Sequence, residues 1–296
     1  MKPADYDAID IGAGPAGLTA AVYLARFRRR VLVLSQGPPR ASWIPESHNT
    51  PGFSQGVGGL ELLSRLTEQA TRFGAELREA CVTGLNPDGG GFEVRAEAEV
   101  LRAPHVILAT GVLDRMPALD GLEAAIRRSV VRMCPICDAY EAIGKRIAVL
   151  GDDALGRREA AFLRSYSDTV TLLRFPAGGI AEEKDVASLS EIIDVDLSDL
   201  TLGADGVRLT RRGAVEQAFD HLYLALGCTM RNDLAVACGA AHDETGSLVV
   251  DAHQQTSVPG LYAAGDVVRG LNQIAVAAGE AAIAATAIHN ALRSHA

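Results

Sequence analysis

The stretch Ala8-Ile9-Asp10-Ile11-Gly12-Ala13-Gly14-Pro15-Ala16-Gly17-Leu18 decides the fold. An apolar run suited to a buried strand ends at Gly12, Gly14 and Gly17 follow, and an Ala/Leu-rich segment, Leu18 to Phe27, reads as a helix. A β-branched run, Val31 to Leu34, comes next, so the chain opens as strand, glycine turn, helix, strand. The three glycines have separate work. One permits the turn, one lets a pyrophosphate approach the backbone, and one lets helix and strand pack closely while the helix N-terminus faces the anion. Gly12, Gly14, Pro15, Ala16 and Gly17 are therefore candidate cofactor contacts, against the alternative of a glycine turn with no ligand. Where an acid gripping a ribose is expected after the second strand, Ser35 and Gln36 stand instead. Asp10 interrupts an apolar strand, and a buried carboxylate needs partners that the sequence does not name.

Working outward, the same order of signals occurs twice. The first unit finishes with His105-Val106-Ile107-Leu108-Ala109-Thr110-Gly111, a buried strand ending in a tight turn. The second runs from Ile147 to Leu150, through Gly151, a helix around Arg158 to Arg164 and a strand at Thr169 to Leu173, to Leu222-Tyr223-Leu224-Ala225-Leu226-Gly227. The expected fold is α/β, with two Rossmann-like three-layer domains. Beyond them, Gly260 to Asp266 leads into an alanine-rich helix from about Gln273 to Leu292, which is expected to return to the first unit. The second domain is then inserted into the first, with crossings near Val112 to Pro117 and Thr245 to Val249. This assigns residues 1–114 and 246–296 to the first domain and 115–245 to the second.

Composition supports a folded chain. With 296 residues, 48% hydrophobic and 22% charged, it has material for two cores and lacks the signature of disorder. A formal charge of −9 argues against nucleic acid or an anionic membrane as partner and leaves small molecules or other proteins. No apolar run reaches the roughly 18 residues of a membrane span, and the segment Met1 to Asp10 carries acids where a signal peptide would be basic and then apolar. A cytoplasmic location is expected. Five cysteines are too few, and odd in number, for a disulfide framework, so a close pair points to chemistry.

That pair lies in Met133-Cys134-Pro135-Ile136-Cys137-Asp138-Ala139-Tyr140-Glu141. Two thiols separated by two residues can close a small disulfide ring and reopen it by exchange. At a helix start, Pro135 fits the first turn, and Asp138 is placed to move the proton that dithiol chemistry requires. The alternatives are half of a zinc site, for which Cys228 and Cys238 lack the usual spacing, or a pair of inert thiols. No metal is expected.

Together these residues resemble the low-molecular-weight thioredoxin reductases and their flavoprotein relatives in the pyridine nucleotide–disulfide oxidoreductase group. The resemblance covers nearly the whole chain. It rests on Gly12-x-Gly14-x-x-Gly17, Asn49-x-Pro51-Gly52, Ala109-Thr110-Gly111, Cys134-x-x-Cys137-Asp138, and Ala264-Gly265-Asp266 followed by Gln273-x-Ala275. It implies FAD in the first domain, with Asn49, Thr110 and Gly111 at the flavin site and Gly265 and Asp266 on the ribityl chain. Gln273, Ile274 and Ala275 would lie beside the flavin ring. Reductases of this kind share the weak acid position at Ser35 and Gln36. The resemblance also makes Cys137 the thiolate that faces the flavin, Cys134 the one that attacks a partner disulfide, and Asp138 the acid or base. It further implies a homodimer.

One loop departs from the pattern. Relatives that use NADPH carry a second G-x-G-x-x-A/G loop and, after the next strand, a basic cluster. Here the loop reads Gly151-Asp152-Asp153-Ala154-Leu155-Gly156, with a carboxylate where the pyrophosphate belongs, and Arg174 is the lone cation in Thr171 to Pro176. Like charges at about 4 Å cost roughly 1 kcal/mol in water and about 4 near a protein surface. The second domain is therefore NADPH-binding-like, with NADPH itself open against another donor such as a reduced ferredoxin or flavin.

Three functions compete. One is an FAD-dependent thiol–disulfide oxidoreductase acting on a thioredoxin-like protein. Another is a small-molecule dithiol oxidase that passes electrons to oxygen. The third is a flavin-binding regulatory protein, against which the intact cysteine pair speaks. The alanine stripe Ala275, Ala278, Ala282, Ala285 and Ile288 has packing as its ordinary role. His48, near the Asn49 motif, has a core or surface role as its default with the flavin border as the alternative, and Trp43 in its loop is open between folding over a cofactor and covering the core.

Overall fold

The structure, a computed structural model, describes residues 5–151, 153–175 and 191–294. Packing divides the chain into two units, one within the spans Met1–Ser42, Gly59–Leu113 and Thr229–Ala296, the other within Trp43–Gly58 and Asp114–Cys228.

The first unit is built on a parallel sheet of five strands in the order Leu261–Ala263, His105–Leu108, Ala8–Ile11, Val31–Ser35 and Glu76–Glu79. Both its faces are covered, which is why its inner strands read as unbroken apolar runs rather than alternating ones. Alternation along the strands sends Ala8, Val33 and Ile107 toward the helices Pro15–Arg26 and Ile274–Ser294. Ile9, Ile11, Leu32 and Leu108 face an antiparallel meander, Val82–Asp88, Gly91–Ala96 and Glu99–Ala103. The second unit repeats the scheme. Its parallel sheet runs Glu191–Asp194, Val170–Arg174, Ile147–Gly151, His221–Ala225, Val131–Arg132. The helix Asp153–Leu163 contributes Ala160 and Leu163 to the core on one face. The meander Leu200–Leu202, Val207–Leu209 and Gln217–Phe219 covers the other. Both domains are thus Rossmann-like.

Three details differ from the sequence reading. Packing places the second crossing at Cys228 and Thr229, well before Thr245. The intervening residues belong to the first core, where Ala235 and Ala240 pack with Leu85 and Val94. Trp43–Gly58 groups with the second unit, because Trp43 packs on a core that includes Ile126 and Leu224. The carboxy-terminal helix, Ile274–Ser294, reaches a mean hydropathy of 1.3 over 18 residues, enough to cross a membrane by length and composition, where no such stretch was expected. That apolarity is mostly alanine. The buried stripe is Ala277, Ala281, Ala284, Ala285 and Ile288; Ala285 and Ile288 are as expected, whereas Ala275, Ala278 and Ala282 lie off it, and the stripe belongs to the core shared with the first helix.

Asp10 is fully buried, and neither carboxylate oxygen has a hydrogen-bond partner among the described residues. Burial pushes its carboxyl well above the ordinary range, so the folded chain holds a proton that the unfolded chain releases. Stability is then complete below about pH 4 and is lost progressively as the pH rises from there toward the folded value. Asp10→Val should stabilise the protein at neutral pH by about 1–3 kcal/mol and abolish that decline. Urea unfolding of both proteins across the acid-to-neutral range measures it, and a variant no more stable than the parent at neutral pH contradicts it.

Candidate active site

The first unit holds a cradle at the start of its first helix. Gly12 has φ +118°, and a Cβ there would lie 2.2 Å from the Ala109 carbonyl oxygen; a Cβ on Gly17 would lie 1.9 Å from that of Gly12. Neither position accepts a side chain. Gly14 differs, for the nearest heavy atom to its Cβ would be 3.9 Å away, on Pro39. Space is kept open in front of the helix, which begins at Pro15 with no side-chain cap and no acid in its first turn. Uncapped N–H groups facing open space suit an anion, so these residues fit the pyrophosphate of a dinucleotide such as FAD.

The other expected contacts of this unit are placed as follows. Ser35 is half-buried at the end of its strand and Gln36 is exposed. Thr110 Oγ1 donates to the Arg231 carbonyl at 2.6 Å, and Gly111, at φ +66°, would have nothing within 4 Å of a Cβ. Gly265 turns at φ +85° beside Ala16, where a Cβ would lie 3.1 Å from the alanine methyl. Asp266 Oδ2 accepts from Arg40 Nη1 at 3.2 Å. Gln273 donates to the Leu271 and Asn272 carbonyls, Ile274 is half-buried and Ala275 is exposed.

Two residues were not found from the sequence. Arg40, which meets Asp266, lies in a Pro-rich turn with no motif around it. Glu280 is 5% exposed, accepts the Gly265 N–H at 2.8 Å and binds Arg269 at 2.5 Å, so it holds the turn that presents Asp266. It is the lone acid in the alanine-rich helix, and that oddity was the available signal.

In the second unit Cys134 and Cys137 are joined by a disulfide. Cys134 stands just before the short helix Pro135–Asp138, Pro135 takes its first position, and the Cys137 N–H returns to the Cys134 carbonyl at 2.9 Å. Both cysteines are half-buried, and Ile136 between them is 50% exposed, so the ring is presented to the surface. Asn49, expected at the flavin, donates from Nδ2 to the Ile136 carbonyl at 3.4 Å. Asp138 follows directly. Burial pushes its carboxyl up, while Arg132 and Tyr223 pull it down.

The second glycine loop keeps its packing glycines. A Cβ on Gly151 would lie 2.7 Å from the Ala225 carbonyl oxygen, and one on Gly156 would lie 2.8 Å from Leu172 Cδ1. They do the work of Gly12 and Gly17. Where a glycine would stand between them, Asp153 opens the helix Asp153–Leu163; Asp152 and the Asp153 side chain lie outside the described residues. Arg174 is engaged by Asp194, Nη2 to Oδ2 at 2.8 Å. Among the described residues no group of three or more His, Cys, Asp or Glu side chains is placed to hold a metal ion.

An uncapped helix start behind a glycine turn and a disulfide-bonded cysteine pair with an adjacent acid, on two Rossmann-like domains, have the make-up of a disulfide oxidoreductase. The family described as pyridine nucleotide-disulphide oxidoreductase matches residues 6–281. A thioredoxin reductase of Listeria innocua is 30% identical over 94% of this chain and 91% of its own, and one of Mycolicibacterium smegmatis is 31% identical over 95% and 94%. The crystal structure of thioredoxin reductase from Streptococcus pyogenes superposes with a TM-score of 0.83 at 27% identity, covering 98% of both chains. The chain belongs to the pyridine nucleotide–disulfide oxidoreductase family, as one of its thioredoxin reductase-like, FAD-dependent members.

The two kinds of glycine predict different outcomes. Gly17→Ala must displace the Gly12 carbonyl and should lower the melting temperature of the protein by several degrees, a loss of at least about 1 kcal/mol. Gly14→Ala meets no protein atom closer than ordinary contact and should melt like the parent in the absence of ligand. Thermal unfolding of both proteins without cofactor checks this, and equal destabilisation by the two substitutions would contradict it.

Proposed function

We propose that the protein is an FAD-dependent thiol–disulfide oxidoreductase that moves electrons between its flavin and a thioredoxin-like protein or small dithiol/disulfide substrate through Cys134 and Cys137. The carrying observation is the disulfide itself, with Ile136 exposed in its ring and the half-buried Asp138 directly behind it. The first-unit cradle would hold the pyrophosphate on the N–H groups of Gly14, Ala16 and Gly17, with Asp266 toward the ribityl chain and the Gln273 to Ala275 segment beside the ring. FAD supplies two-electron exchange with a dithiol when bound. Cys137 is the cysteine that communicates with the flavin, Cys134 attacks or receives the substrate sulfur, and Asp138 takes and returns the proton. By the family resemblance we also expect a cytoplasmic homodimer.

NADPH is not the favoured electron donor on this reading. Asp153 replaces the glycine at the point of pyrophosphate approach, and the expected 2′-phosphate cation, Arg174, already pairs with Asp194. The same two observations favour a second direction of flow, in which substrate dithiols reduce the cysteine pair, the flavin takes the electrons and oxygen removes them.

Anaerobic mixing of purified holoprotein with NADPH, and separately with dithiothreitol, distinguishes these. The flavin absorbance should bleach quickly with the dithiol and slowly or not at all with NADPH, and Cys134→Ser should lose the dithiol response. Rapid bleaching by NADPH would overturn the donor assignment. Failure of any dithiol to bleach the parent flavin would overturn the role of the pair. Peroxide formed when air is admitted to the dithiol-reduced protein marks the oxidase direction.

A further inference from the structure

Two side chains that neither the motifs nor the family resemblance single out converge on Asp138. Arg132 ends the strand Val131–Arg132, and Tyr223 lies in the middle of His221–Ala225. The strands pair in parallel with Tyr223 opposite Arg132, so both side chains leave the sheet on one face. Arg132 is nine-tenths buried; its Nη1 lies 3.1 Å from Asp138 Oδ2 and 3.2 Å from the Asp138 carbonyl oxygen. The Tyr223 hydroxyl donates to the same carbonyl at 3.3 Å. One carboxylate oxygen and the backbone of Asp138 are thereby fixed. The other oxygen, Oδ1, is buried with no hydrogen-bond partner among the described residues.

The geometry points to Arg132 and Tyr223 as positioning residues that clamp Asp138 through Oδ2 and its carbonyl, leaving Oδ1 to take and return the proton of dithiol exchange. This rests on the reading of Asp138 as the proton carrier. In the reduced centre, one cysteine thiol gives its proton to Oδ1 as its sulfur attacks a substrate disulfide. The substrate S–S bond breaks, a mixed disulfide forms, and the departing sulfur receives that proton. The second cysteine then attacks the mixed disulfide, its proton passing the same way to the second substrate sulfur. The pair is oxidised to the disulfide, and the substrate leaves as a dithiol carrying both protons and both electrons.

A comparison within the molecule shows why the clamp matters. Asp10 is fully buried, has no partner among the described residues and is held protonated by burial alone. At Asp138, which is half-buried, the effect of burial is opposed by the Arg132 charge and the Tyr223 hydroxyl, with Glu141 nearby pushing the carboxyl up. His221, on the strand that carries Tyr223, is kept neutral, its value pushed down to about 4 by burial and by Arg132. Tyr223 itself stays protonated, since burial and the Asp138 carboxylate disfavour its anion. Arg132 is therefore the positive charge that offsets burial at Asp138, and an arginine beside a carboxylate lowers its titration by about 1–3 pH units.

The test follows the pH dependence of exchange between the reduced holoenzyme and hydroxyethyl disulfide in anaerobic stopped flow. Arg132→Met should move the acid limb of the rate profile up by about 1–3 units, Tyr223→Phe should move it the same way by less, and Arg132→Lys should restore most of the parent position. A role in folding alone would lower the rate at every pH and leave the limb in place. That result, or a limb unmoved in Arg132→Met with full rate, overturns the inference. If Arg132→Met is not recovered folded, Tyr223→Phe carries the test, and an unmoved limb in that variant is then the overturning result. Asp138→Asn separates the two layers of the argument. It should flatten the acid limb, and a parent-like profile in it would sink the proton-carrier reading itself, whereas a flat profile with an unmoved Arg132→Met limb sinks only the clamp.

Discussion

The bond between Cys134 and Cys137 is the constraint around which the second unit is arranged. It closes a ring across the start of a four-residue helix whose first position is proline. The rest of the neighbourhood decides how that ring opens. Ile136 keeps it at the surface, Asn49 donates to the carbonyl inside the ring, and Arg132 and Tyr223 reach Asp138 from adjacent strands. Exchange at such a bond needs an approachable sulfur, and the reduced pair needs somewhere for its thiol protons to go. On the proposed reading the exposed turn at Ile136 serves the first need and the Asp138 carboxylate the second.

The two Rossmann-like domains show one backbone solution carried to different ends. In each, the outer glycines of the loop exist because a side chain would strike a carbonyl or a core leucine: Gly12 and Gly17 in one, Gly151 and Gly156 in the other. These positions are dictated by packing. The middle position is not dictated by packing, and there the domains part. Gly14 leaves open space at an uncapped helix start, whereas the second loop has Asp153 at its helix start and, on the next strand, an arginine already bound by Asp194. A fold can therefore be retained in full while the reason for one of its glycines is lost.

Much of this was legible in the sequence because it depends on local periodicity. Unbroken apolar runs ending at glycine gave the two parallel sheets, and the Cys134 to Cys137 spacing gave the disulfide. What escaped depends on contacts between residues far apart in the chain. Glu280 reaches back to Gly265 across the fold, and Arg40 meets Asp266 from a turn without regular pattern. The partnership of Arg132 with Tyr223 is a matter of strand register, invisible until the sheet order is known. The same holds for the crossing at Cys228. Apolar spacing cannot say that Ala235 and Ala240 belong to the first core when the strand just before them, His221–Ala225, lies in the second unit. The carboxy-terminal helix fails in another way, since alanine is apolar enough to satisfy a hydropathy test while serving as a close-packing surface.

The central claim is that flavin and disulfide form one electron reservoir. Anaerobic titration of the purified holoprotein with dithionite, following flavin absorbance to complete bleaching, tests this directly. The parent should consume twice the reductant that its bound flavin alone accounts for, and a Cys137→Ser protein should consume only the flavin's share. Equal uptake by the two proteins would contradict the account.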